Sequence, residues 1–206
     1  MQLSSIISSA KSSSPARLQT HELESIADYC LNWLERITWV DPFETGKLDT
    51  DLFLEHVCVE AGYQLEYLEA PAWREKERRT FAMTEPLRKK VYVALCGDID
   101  ERSRRHAMAH EAFHVFHDHD FFMRYQNIPE ALEAAKQILD YNANDFARII
   151  HLPGGLMLKG FQKTRAQGHS ILSAVEIFSR VFGISTMSVK IRLKELNLVT
   201  PEEVGL

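Results

Sequence analysis

The sequence predicts an α+β domain, a small antiparallel sheet preceded and followed by helices. Three observations carry that prediction. Apolar residues recur at helical spacing over 21–37. Two short stretches near the middle alternate apolar and polar residues, as half-buried strands do. Almost everything after residue 99 returns to the helical period.

Taken in order, Leu23, Ile26, Ala27, Cys30, Leu31, Leu34 and Ile37 mark a first helix that should stop before Asp41-Pro42. A second fits 49–61, with Gly62 free to adopt the left-handed conformation that closes helices. The period then shortens. Tyr63, Leu65 and Tyr67 alternate with Gln64 and Glu66, and Val91, Val93 and Leu95 alternate with Tyr92 and Ala94. A third strand fits 79–84, with 73–78 as an exposed charged turn. Helices follow over 99–118, 129–150, 170–182 and 185–196. The domain boundaries read from this pattern are 1–19 for a Ser-rich disordered tail, 20–168 for the main domain and 169–206 for a small C-terminal helical element.

Composition narrows the function. At 206 residues, 45% apolar and 26% charged, the chain can bury an ordinary core. A formal net charge of -5 argues against direct nucleic-acid binding, which draws on surplus Lys and Arg. Cys30, Cys58 and Cys96 are scattered and odd in number, as buried thiols of a reducing compartment are. No run approaches the roughly 18 apolar residues of a membrane span. The expectation is a cytoplasmic protein with no membrane contact.

The chemistry concentrates in His110-Glu111-Ala112-Phe113-His114. Asp98 and Glu101 resemble a capping box, so the helix that carries these residues should begin at Ile99. Met108, Ala109, Ala112, Val115 and Phe116 form its core face. His110 and His114, one turn apart on the opposite side, can converge on one ion. Glu111 lies about 60° from His114 around the axis. Zinc accepts neutral imidazole nitrogens, and a catalytic site keeps three protein ligands and one position for water, whose pKa falls towards about 7. Glu111 is then placed to take the water's proton and deliver it to a leaving amine. The residues alone leave three candidates for the third ligand: Asp120, Glu133 and Asp140.

A family resemblance bears on that choice. Residues 104–117 read R-R-H-A-M-A-H-E-A-F-H-V-F-H and resemble the R-R-F-T-x-A-H-E-x-x-H opening of the ImmA/IrrE-type metallopeptidases. Residues 140–153, D-Y-N-A-N-D-F-A-R-I-I-H-L-P, are similar to that family's E-x-[QE]-A-[ND]-x-F-A-x-x-L-L-M-P segment. Phe182 to Ser185 and Arg192 to Leu198 resemble its closing helical element. The resemblance implies a zincin-like fold with Zn2+ held by His110, His114 and Asp140, Glu111 as catalytic acid/base, and Asn144 supporting the ligands. It implies an endopeptidase that cuts a regulatory partner such as a helix-turn-helix repressor, in stress response or mobile-element control. Asp140 stands where the family has Glu, one methylene longer. That departure keeps open a catalytically inactive relative acting as a protein-interaction or transcription-regulatory module.

Three further features belong to the reading. His117 is read as lining the cleft behind the ligands or orienting an oxyanion, with a surface histidine as the other reading. His106, where the family has an aromatic, is expected to pack. Residues 177–198 read superficially as helix-turn-helix, with Lys190, Arg192 and Lys194 as phosphate contacts; a packing appendage is the preferred reading of the two.

Overall fold

The computed structural model describes residues 16–69, 81–95, 100–125 and 127–206. The charged turn expected over 73–78, the start of the strand expected over 79–84, Cys96, the cap expected at Asp98 and most of the tail expected over 1–19 lie outside them. In chain order the elements are α1 (Thr20–Thr38), α2 (Thr50–Ala61), β1 (Gln64–Glu69), β2 (Ala82–Glu85), β3 (Lys90–Leu95) and α3 (Glu101–Phe113). A π-helical turn, His114–Asp118, leads into α4 (His119–Tyr125). Then come α5 (Pro129–His151), α6 (Gly154–Ala166), α7 (Ile171–Phe182), α8 (Thr186–Glu195) and the single turn α9 (Pro201–Val204). Two compact units result. The first holds 16–19 and Asp49–Ala147, the second Thr20–Leu48 and Arg148–Leu206.

In the first unit, α2 begins at Asp49, whose side chain accepts from Leu52 N, and ends on Gly62 at φ 69°. The sheet is mixed, with strand order β1-β3-β2. This corrects the antiparallel expectation. β2 does pair antiparallel with β3, joined by the turn Pro86–Arg88 with Lys89 in the left-handed region, but β1 pairs with β3 in parallel. The chain reverses twice between β1 and β3, and β2 takes the far edge, so the neighbours across the middle run the same way. The central position also explains why β3 does not alternate. Val91, Tyr92, Val93 and Ala94 are all buried, while Leu95 is exposed. A strand covered on both faces reads as a continuous apolar run.

The helix α3 starts two residues later than its capping-box pattern predicts, because Asp100 is the cap and accepts from Arg102 N and Ser103 N. Its expected core face is correct: Met108, Ala109, Ala112, Val115 and Phe116 are all buried. Phe113 and Phe116 close on Phe146 of α5, with ring centroids 4.9 and 5.4 Å away. This aromatic contact fixes α5 beside α3. At the chain's start, Asn142 donates to Ala16 O at 2.9 Å and accepts from Leu18 N at 3.0 Å, while Arg17 pairs with Asp145.

The second unit is helical. Leu152, Met157, Phe161, Val175, Phe178, Phe182, Ile184, Val189 and Leu193 form its core, with Phe43 packed against them. The helix α6 went unpredicted because Gly154, Gly155 and Gly160 weaken its sequence signal. The cradle is tight at Gly160, where a Cβ would meet the Phe178 ring at 3.0 Å. Arg192 is fully buried; it donates to Leu152 O at 3.0 Å and Glu24 at 2.6 Å. It therefore cannot present its guanidinium to phosphate, which removes the central residue of the helix-turn-helix reading. Among the described residues no single helix is long and apolar enough to cross a membrane.

Candidate metal centre

His114 follows His110 by four positions, which sets their imidazoles one turn apart and edge to face, with ring centroids 4.6 Å apart. Their Nε2 atoms face each other at 2.9 Å. Asp140, carried by α5, brings Oδ1 to 3.6 Å from His114 Nε2. One ligand atom from each of the three lies within 4.8 Å of the others, and this is a group able to hold a metal ion. Of the three third-ligand candidates, the structure brings in Asp140. Asp120 and Glu133 are exposed and outside the group.

The outward nitrogen of each imidazole is also engaged. His110 Nδ1–H donates to Asn144 Oδ1 at 3.1 Å, one turn beyond Asp140 on α5. His114 Nδ1–H donates to Asp118 Oδ2 at 2.6 Å. A proton on each Nδ1 leaves each Nε2 lone pair for the shared space, the donor arrangement that metal-binding imidazoles require. Two imidazoles and a carboxylate suit zinc, and the same set suits iron(II). The donor chemistry fits a metal without fixing which one.

Electrostatics agree with this geometry. Burial disfavours the charged form of His114, but the hydrogen bond to Asp118 and the Asp140 carboxylate outweigh it and push its pKa up to about 10. Burial, then the charge on His114, drives His110 down. The acids around His114 thus favour a second proton on it in the metal-free protein. Asp140 is held below the ordinary carboxylate range by its contact with His114. A cation entering the group replaces that proton.

Glu111 is partly exposed, and among the described residues its carboxylate has no hydrogen-bond or ion-pair partner. Its charge favours the protonated forms of both His110 and His114, so it stands near the group without being tied down. His106 does not simply pack; its Nε2 lies 3.4 Å from Asn144 Oδ1, sharing that acceptor with His110. His117 turns to Asp118, with Nδ1 2.7 Å from Oδ1, and its ring stacks on Phe113 at 4.5 Å.

Asp118 is the residue the sequence reading missed. It is buried, and both His114 and His117 donate to it. Burial raises its pKa, but those two hydrogen bonds overcome that and hold it below the ordinary carboxylate range. The signal was available: an acid four residues past His114 on one helix is within side-chain reach.

No family model matches the chain, and no curated protein matches it. Its site rests on its own geometry: a His110/His114/Asp140 group built on two helices locked together by Phe113, Phe116 and Phe146.

Proposed function

We propose that the chain is a zinc-dependent endopeptidase, gluzincin-like with aspartate as third ligand, acting on a regulatory protein such as a helix-turn-helix repressor. One observation carries the reading: His110, His114 and Asp140 converge on one point, with the uncommitted carboxylate of Glu111 on the same helix. His110, His114 and Asp140 would hold the ion. Zinc bound there supplies an acidified water and a Lewis acid for the peptide carbonyl. Glu111 would serve as the proton acceptor and donor for that chemistry, and its freedom from other partners suits that exchange. Asn144 keeps the His110 imidazole in the required tautomer. The substrate class and the stress or mobile-element setting come from the resemblance to ImmA/IrrE-type peptidases in residues 104–117 and 140–153.

Purified protein should carry about one zinc per chain. Zinc-loaded protein should cut members of a proteome-derived peptide mixture, read by mass spectrometry. Glu111→Gln should abolish cutting while leaving zinc content and fold intact. Metal-free purified protein that takes up no zinc, or a Glu111→Gln variant as fast as its parent, would overturn the reading.

A second reading is a non-cutting interaction or regulatory module on the same scaffold. The observation favouring it is the short third ligand, with the Asp140 side chain 48% exposed. Partner regulation that survives Glu111→Gln intact would select it.

A further inference from the structure

Two imidazoles share the Asp118 carboxylate, which is 1% exposed. His114 Nδ1 lies 2.6 Å from Oδ2 and His117 Nδ1 lies 2.7 Å from Oδ1. An ionised carboxylate only accepts hydrogen bonds. Both contacts therefore require a proton on Nδ1, and both rings are left with Nε2 as the variable nitrogen. For His114 that nitrogen faces His110 Nε2 and Asp140. For His117 it is buried without a hydrogen-bond partner among the described residues, and the ring is pinned on Phe113. The two histidines thus play unequal parts: one faces the site, and the other faces only the carboxylate.

From this we infer that Asp118 is the positioning residue of the centre. It fixes His114 in the tautomer and ring orientation that offer Nε2 to a cation, and His117 is the second N–H donor to this buried carboxylate. An isolated charge taken out of water is strongly disfavoured, and two N–H donors on separate oxygens offset that. The local backbone serves the same end. The π-helical turn His114–Asp118 contains the ligand, its acceptor and the second donor within five consecutive residues, and such wide turns cluster at functional sites. The inference rests on His110, His114 and Asp140 being metal ligands.

Asp118→Asn keeps the volume but replaces one acceptor oxygen with an NH2 donor, which cannot accept Nδ1–H from both rings. Its zinc dissociation constant, measured by competition with a chromophoric chelator, should rise about 10–100-fold. His117→Phe keeps the stack on Phe113 and the His114–Asp118 bond, and should weaken zinc less than about fivefold. Long-range 1H–15N imidazole spectra of the zinc-free parent read the same feature without metal: Nδ1-bound protons on both His114 and His117, with at least one of the two lost in Asp118→Asn. A parent that binds zinc alongside an Asp118→Asn variant of equal affinity would overturn the inference and leave the metal reading standing. A parent that binds no zinc but shows both Nδ1 protons would overturn the metal reading instead. A parent lacking the Nδ1 proton on His114 overturns the inference whether or not the variant folds.

Discussion

Asp140 Oδ1 stands 3.6 Å from His114 Nε2, although the two residues belong to different helices and are 26 positions apart in sequence. This relationship completes the candidate centre. Asp140→Ala should weaken zinc by at least about 100-fold in chelator competition, since it removes a ligand rather than an outer partner. Asp140→Glu keeps the carboxylate with a longer reach and should stay within about tenfold of the parent. Both should melt within about 2 °C of the parent, because the side chain is half exposed.

Metal affinity should depend on pH with a definite sign. In the metal-free protein the His114 pKa is pushed up to about 10, so below that value an entering cation must displace a proton. Affinity should then fall about tenfold for each pH unit below 10, and calorimetry across buffers of different ionisation enthalpy should count about one proton released at neutral pH. Stability of the chelated protein runs by the linked rule. A pKa raised above the unfolded value contributes stability that is full below about 6.5 and is lost as pH rises through about 10. Denaturant unfolding across that window measures it.

Arg192→Ala should destabilise the chain by about 2–4 kcal/mol in urea unfolding, because it leaves Leu152 O without its donor and a cavity where a fully buried guanidinium stood. Lys194→Ala, at an exposed position nearby on α8, should change stability by less than about 0.5 kcal/mol. A role in phosphate binding predicts the opposite ranking, with salt-sensitive binding lost and stability kept.

Gly62→Ala tests the cap of α2 in isolation. Nothing lies within 4 Å of a Cβ built at Gly62, so the only penalty is φ of 69°. The expected loss is about 1 kcal/mol, seen as a lower melting temperature with unchanged zinc affinity.

How much of this was legible in the sequence differs from residue to residue. Local rules placed α1, α2, α3, α5, α7 and α8, because their apolar spacing and their caps at Asp49, Gly62, Ser170 and Ser185 act within a few residues. Strand neighbours were not legible in the same way. Pairing of Leu65 with Val91 is a long-range choice, decided by which edge of β3 the turn Pro86–Arg88 leaves free. At the site, His110 and His114 announced themselves by spacing. Asp140 needed the resemblance, since its polar stripe on α5 looks like any solvent-facing side. Asp118 did not stand out, because an acid four residues past a histidine is as common on a solvated helix face as beside a ligand. Arg192 shows the converse. Its charge suggested solvent or phosphate, yet Glu24, far away in sequence, draws it into the interior.

The π-helical turn His114–Asp118 has a consequence for how the protein fluctuates. Local opening of that one turn would release His114 and Asp118 together, so the ion and the turn should stabilise each other. Amide hydrogen exchange at residues 114–118 should slow when zinc is added, by a factor that grows in proportion to free zinc above its dissociation constant. Amides of α7 and α8, which belong to the other compact unit, provide the reference rate. Exchange at the turn would thus report metal occupancy directly, with no assay of activity.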